Sequence, residues 1–170
     1  MTKFKGVSSF TLHILAMLFM LCDHLWATLF PEAEWLNCIG RLAFPIFAFM
    51  IAEGYSHTSN VKKYVLRLLI CAVITEVPFD LFYGGMAFYP FHQNVLWTFL
   101  IALLAIILIE KARKLKKRVL GWVLAAVIVL VSYAVGTLAM VDYYGAGVLT
   151  VLVFYFFRER KWQNFAAQFV

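Results

Sequence analysis

Charge is scarce in this sequence. Only 14% of its 170 residues are Asp, Glu, Lys or Arg, and just nine of those are acidic. Soluble domains carry about a quarter of their residues as charges. A chain of this size has no interior large enough to hide 64% apolar residues. A water-soluble globule is therefore excluded, and lipid must be part of the solvent. Cysteine is equally sparse. Cys22, Cys38 and Cys71 have neither the spacing of a metal site nor the pattern of a disulfide framework, and no metal is expected. They read as small apolar packing residues; a bond between Cys22 and Cys38, both near one membrane face, is the alternative. Four prolines and nine glycines, with no low-complexity run, leave no linker or repeat. One domain over residues 1–170 is the simplest organisation.

What is abundant is long apolar sequence. About 20 apolar residues cross a hydrocarbon core of about 30 Å as a helix. On that rule the spans are Ser9–Phe30, Leu36–Tyr55, Val61–Tyr83, Phe91–Glu110, Val119–Leu138 and Val141–Phe157, the last one short. Turn signals separate them: Phe30-Pro31, His57 to Asn60, Gly84-Gly85, a basic loop, and Asp142 to Gly147. The first run is too long for a signal-peptide core and lacks a small-residue cleavage site, so it reads as a retained helix. The expected fold class is all-α, a polytopic membrane bundle of about six helices.

The net charge of +6 invites a nucleic-acid reading, and its placement argues against one. Lys3 and Lys5 precede the first span; Lys62, Lys63 and Arg67 follow the second. The run Lys111 to Arg118 follows the fourth, and Arg158, Arg160 and Lys161 follow the sixth. Fourteen of the fifteen basic residues thus fall on alternate loops, whereas the opposite loops carry Glu32, Glu34 and Asp142 and no Lys or Arg. This is the positive-inside pattern, which makes the basic side and the N-terminus cytoplasmic. The basicity reports topology, and no nucleic-acid partner is expected.

One basic residue, Arg41, lies inside a span. Asp23 and His24 lie in the outer third of the first span, Glu76 and Asp80 in that of the third. His92, Gln93 and Asn94 open the fourth. Helix direction brings these eight groups to one depth in the outer leaflet. A charge in the membrane costs about 2.5–3.5 kcal/mol on insertion scales. One such residue is best explained as interfacial or as a registry-fixing ion pair, but eight at one depth point to a shared polar pocket. Glu76 and Asp80, at i and i+4, share a helix face. Pro78 and Pro45 each remove a backbone donor and free the carbonyls of Ile74 and Arg41, so kinks are expected there.

A second polar set marks the inner leaflet. His13 precedes His24 by eleven positions, which places both imidazoles on one helix face about 16 Å apart along the axis. Glu53 and His57 form another i,i+4 pair. A polar stripe from the cytoplasmic end to the outer pocket has the shape of a substrate tunnel or a channel. Trp26, Trp35, Trp97, Trp162 and the aromatic run Phe154 to Phe157 read mostly as lipid-facing or belt residues without a site role.

At these residues the chain resembles the TraX family, integral-membrane acetyltransferases whose founding activity is acetylation of the amino terminus of conjugative pilin. The matching segments are LCDHL at 21–25, GRLAFPIFAFMIAEGYSHT at 40–58, KKYVLRLLICAVITEVPFDL at 62–81, HQNVLWTFLIALL at 92–104 and DYYGAGVL at 142–149. They run from Leu12 to about Phe157 in the family's order. Where the family usually has a first-helix Lys, this chain has His13. A basic residue followed by His is also similar to the membrane acyltransferases that O-acylate surface sugars, in which the His is taken as catalytic. Family members commonly extend further at the carboxyl end. This chain stops within the apolar stretch Asn164–Val170, so a short member or a fragment is expected.

The resemblance implies a bacterial inner-membrane, multi-pass transmembrane acyltransferase. Its donor would be cytoplasmic acetyl-CoA, its acceptor a pilin-like peptide amine or a surface-glycan hydroxyl. His24 would take the acceptor's proton or carry the acyl group, with Glu76 or Asp80 orienting it and Asp23 paired with Arg41. Arg41, or His92 with Asn94, would donate to the thioester oxyanion. His13 would flank the pantetheine arm, and His57, Lys62, Lys63 and Arg67 would seat the phosphates. Arg67, about a turn inside the span, is the preferred fork for a pyrophosphate, and the Lys111–Arg118 run is read as a solvated topology signal. The alternatives are a proton-coupled small-molecule transporter or channel, for which polar groups on kinked helices are equally expected, and a non-catalytic assembly factor.

Overall fold

The computed structural model describes residues 8–158, and all of its regular structure is helical. Lys3, Lys5, Arg160, Lys161, Trp162 and the stretch Asn164–Val170 lie outside the described residues. The chain divides into two compact units, Met1–Met50 and Ile51–Val170, with the boundary inside a helix.

The first unit holds α1 (Ser9–Thr28), α2 (Glu34–Gly40) and the start of α3 (Ala43–His57). Ser8 caps α1 by accepting the Thr11 N–H, one of the orphan donors every helix start carries. The expected second span is longer than the apolar run alone and is broken at Arg41–Leu42 into α2 and α3. Pro45 is the cause: in the first turn of α3 its missing N–H costs nothing, but a continuous helix would lose its bond to Arg41. α2 packs closely on α1. A Cβ on Gly40 would lie 2.5 Å from Asp23 Cβ and 2.8 Å from Asp23 Cα, so only glycine allows this approach.

The second unit holds the rest of α3, then α4 (Val61–Gly84), α5 (Val95–Arg113), α6 (Arg118–Leu138) and α7 (Tyr144–Phe157). α5 is its centre and packs against α4, α6 and α7. Its buried side chains, among them Phe99, Leu103, Ile106 and Ile109, form a face wider than one stripe, and Leu104 and Leu108 are exposed on the remaining side, as a helix packed against three others requires. α4 continues through Pro78 and ends at Gly85, whose φ of 67° is the left-handed C-cap that glycine supplies without strain. Two starts differ from expectation. α5 begins at Val95 and α7 at Tyr144, because the segment before each pairs with the other. Gln93 N donates to Met140 O at 3.0 Å, and Asp142 N to Gln93 O at 2.9 Å.

The exterior is apolar. On α4, Leu66, Ile70, Val73, Ile74, Val77 and Leu81 are exposed at helical spacing, and α6 exposes Val119, Val123, Val127 and Leu130. In water such a surface would aggregate; in lipid it is the solvated face. Four helical segments are long and apolar enough to cross a membrane: α1, Glu34–His57, α5 and α6. The other two expected spans meet only part of that requirement. α4, at 24 residues, has the length but carries Lys62, Lys63, Arg67, Glu76 and Asp80, while α7 is apolar but only 14 residues long. The protein is a multi-pass helical membrane bundle. The three cysteines are free thiols.

Candidate functional site

In the first unit the site residues His13, Asp23, His24 and Arg41 sit on α1 and at the end of α2. His24 Nδ1 lies 2.7 Å from Met20 O, one turn back on its own helix. A carbonyl only accepts, so Nδ1 carries the proton and, in the neutral ring, Nε2 is the basic nitrogen. His13 has the same geometry against Ser9 O, at 2.7 Å. The orienting partner of His24 Nδ1 is thus backbone, where a carboxylate was anticipated. Asp23, next to His24 in the chain, packs against Gly40. One of its carboxylate oxygens, Oδ1, is buried without a hydrogen-bond partner. Arg41 Nε donates to Asn37 Oδ1 at 3.1 Å.

In the second unit Glu76, Asp80, His92 and Asn94 gather where α4 ends and α5 begins. Asn94 organises them. Its Oδ1 accepts Leu96 N–H at 2.9 Å and caps α5, while its amide donates to Ala72 O at 2.9 Å and to Glu76 Oε2. Both amide hydrogens are therefore engaged, and Asn94 has none for an oxyanion. Its role is to position Glu76 and the start of α5. Trp97 completes the arrangement by donating from Nε1 to Glu76 Oε2 at 2.7 Å. Trp97 thus belongs to this polar cluster and not to the aromatic belt. The legible signal was its place one turn after Asn94, on the face of α5 that begins at the polar cluster.

Asp80 is 1% exposed. Its Oδ2 accepts the Tyr89 N–H at 2.9 Å, which ties the loop after α4 back to that helix. Glu76 Oε1 and Asp80 Oδ1 are buried without hydrogen-bond partners. Burial without a partner costs a polar group about 1–3 kcal/mol, and more if it is charged. Two such oxygens on one helix face mark a place built to meet a proton or a donor. His92 stacks on Tyr83, with ring centroids 4.5 Å apart, and its Nε2 lies 3.7 Å from Asp142 Oδ1. Thr98 Oγ1 donates to Asp142 O at 2.5 Å. Beside this His92–Asp142 contact, Met140, Tyr143 and Tyr144 all adopt positive φ, at 51°, 62° and 49°. That conformation costs a non-glycine residue about 1 kcal/mol or more and collects at functional turns. Nothing in the residue types announced it.

The remaining candidates, His57, Lys62, Lys63 and Arg67, are exposed at the end of α3 and along the start of α4. His57 Nδ1 lies 2.9 Å from Glu53 O and 3.6 Å from Glu53 Oε2. No cavity was anticipated where one occurs, at the opposite end of α5 from Asn94. It has a volume of about 420 Å³ and is lined by Glu110, Arg113, Lys114, Tyr155, Phe156 and Arg158. Tyr155, placed by its sequence context among lipid-facing aromatics, is 2% exposed. Its hydroxyl bonds Glu110, its ring meets Tyr55 edge-on at 5.9 Å, and the Arg158 guanidinium lies 4.5 Å over its face.

One curated relative, a probable fimbrial assembly protein FimC of serogroup H1 from Dichelobacter nodosus, is 31% identical over 119 residues. The match covers 64% of this chain and 49% of the relative, so the chain spans about half that protein's length. No solved structure matches. The model of the family described as TraX protein matches residues 8–170, and the chain belongs to the TraX family.

Proposed function

We propose that this protein is a transmembrane acyltransferase. It moves an acetyl group from cytoplasmic acetyl-CoA to an amine or hydroxyl presented at the outer face of a bacterial inner membrane, with its N-terminus in the cytoplasm. The observation that carries this reading is the fixed tautomer of His24. With Nδ1 held on Met20 O, Nε2 is the basic nitrogen of the neutral ring. A positioned base contributes about 10²–10⁴-fold to proton transfer. The proton leaves the acceptor nucleophile for Nε2 as the nucleophile attacks the thioester carbonyl. Nε2–H then returns that proton to the sulfur as the C–S bond breaks, so coenzyme A leaves as the thiol and the base is regenerated. The fimbrial assembly name of the relative supports a pilin-like peptide as acceptor.

A proton-coupled carrier is the second reading. It draws on the two buried, unpartnered carboxylate oxygens of Glu76 and Asp80, which suit proton uptake. One experiment separates the two. Purified protein in lipid nanodiscs is given acetyl-CoA and a pilin-type peptide, and mass spectrometry follows acetyl on peptide and protein. Donor-dependent acetylation that His24→Ala abolishes supports the transferase. Equal acetyl-CoA consumption by wild type and His24→Ala removes it and leaves the carrier.

A further inference from the structure

The cavity at the far end of α5 joins residues distant in the chain. Glu110, Arg113 and Lys114 come from the end of α5; Tyr155, Phe156 and Arg158 come from the end of α7. Three cations and one carboxylate line it, a net charge of +2. The carboxylate already has partners: Glu110 accepts from the Tyr155 hydroxyl and from Arg113 Nη1 at 3.4 Å.

Basic residues at a helix end on the cytoplasmic side ordinarily need no ligand. They complement the helix dipole and obey the positive-inside rule. That explanation accounts for Lys111, Lys116 and Lys117, which do not line the cavity. It does not account for the convergence of Lys114 with Arg158, which follows a different helix. Nor does it account for Tyr155, a buried residue that holds Glu110 and sits beneath the Arg158 guanidinium. The dipoles of α5 and α7, whose C-terminal ends both meet here, oppose an anion with roughly one negative charge in all, short of the two positive charges that favour one. A volume of about 420 Å³ falls within the range of roughly 300–1,000 Å³ typical of small-molecule sites.

We propose that this cavity seats the phosphates of the acyl donor, with Lys114 and Arg158 holding them and Glu110 limiting the affinity. This rests on the acyl-CoA reading above and changes its donor seat. Lys63, Arg67 and Lys114 are all exposed, but Lys114 joins the half-buried Arg158 in lining a cavity. The Arg158 guanidinium, already stacked on Tyr155, is pre-organised for a bidentate grip on phosphate oxygens. A phospholipid headgroup offers the same phosphate chemistry, so the test must distinguish the two sources.

The experiment measures binding of radiolabelled coenzyme A to the full chain, in nanodiscs of phosphatidylcholine alone or with phosphatidylglycerol. Arg158→Gln is expected to weaken binding at least tenfold and Lys114→Gln several-fold, while Lys117→Gln leaves it unchanged. Glu110→Gln, which keeps an acceptor for Tyr155, should tighten binding several-fold; a merely structural role for the cluster would not produce a gain. Arg158→Lys controls for folding and should recover part of the loss. Phosphatidylglycerol should not compete. If both Lys114→Gln and Arg158→Gln bind like wild type while Arg67→Ala does not bind, the seat is on α4 and this proposal is wrong, with the acyltransferase reading intact. If phosphatidylglycerol displaces coenzyme A in an Arg158-dependent manner, the cavity is a lipid site and the proposal is again wrong. If wild type binds no coenzyme A, the acyltransferase reading falls with it.

Discussion

The side-chain amide of Asn94 reaches Glu76 and the carbonyl of Ala72 while its oxygen caps α5. One residue therefore fixes the register of α4 against α5 and the orientation of Glu76, which also accepts from Trp97 Nε1. Asn94 is 4% exposed, so water cannot replace these bonds.

Substitutions at Asn94 separate its two duties. Asn94→Ser keeps a capping oxygen but loses the amide, leaving Glu76 and the Ala72 carbonyl each one donor short, at about 1–3 kcal/mol. Asn94→Ala loses the cap as well, at about 1 kcal/mol more. Thermal unfolding in detergent should rank wild type, Ser, then Ala. Equal melting temperatures for all three would show that the network contributes nothing to stability.

Gly40 is the contact point of α2 with α1. Gly40→Ala would push a methyl group into Asp23, whose backbone nitrogen and Cα lie 2.8 Å from the ideal Cβ position. Backbone cannot rotate aside, so the helices must separate, at about 1–3 kcal/mol. Because Asp23 precedes His24, the same shift should lower the proposed acetyl transfer. Gly85→Ala is the control for glycine loss in general. It meets no atom within 4 Å, and its cost is the φ of 67° alone, about 1 kcal/mol. An unaltered melting temperature for Gly40→Ala would contradict the packing.

Much of this was legible from residue order. The spans announce themselves because apolar runs of about 20 residues have one solution in lipid. The break at Arg41–Leu42 follows from Pro45, and the end of α4 from Gly84-Gly85. The true start of α5 was hidden, because Phe91 to Gln93 suits a helix as well as the pairing with Met140 and Asp142 that it makes. The parts played by Trp97 and Tyr155 were hidden for a different reason. Where every helix face is apolar, periodicity cannot say which aromatic turns its polar tip inward. Glu110 resembles the end of a span in sequence because its partner, Tyr155, lies 45 positions away.

Topology can be tested without knowing the substrate. Single cysteines at Ser59, Lys116 and Glu34 are placed in a chain freed of Cys22, Cys38 and Cys71. An impermeant maleimide applied to intact cells should label position 34 only, while positions 59 and 116 require permeabilisation of the inner membrane. Fourteen of fifteen basic residues on alternate loops motivate this expectation. Labelling of position 116 from outside would invert the bundle and place the Lys114–Arg158 cavity away from the cytoplasmic donor.

His24 offers a test in which fold and chemistry come apart. Its Nδ1 is bound to Met20 O at 2.7 Å, and its Nε2 is the proposed base. The amide nitrogen of asparagine occupies nearly the position of histidine Nδ1, so His24→Asn can keep the bond to Met20 while removing Nε2. The expected result is an unchanged melting temperature, coenzyme A binding within about twofold of wild type, and turnover reduced about 10²–10⁴-fold. A loss confined to turnover marks an interaction made in the transition state rather than in the ground state. His24→Leu should lose turnover equally, which would exclude the asparagine amide as a partial substitute. If His24→Asn instead retains most of its turnover, the tautomer fixed by Met20 matters only for structure, and the base must be sought elsewhere.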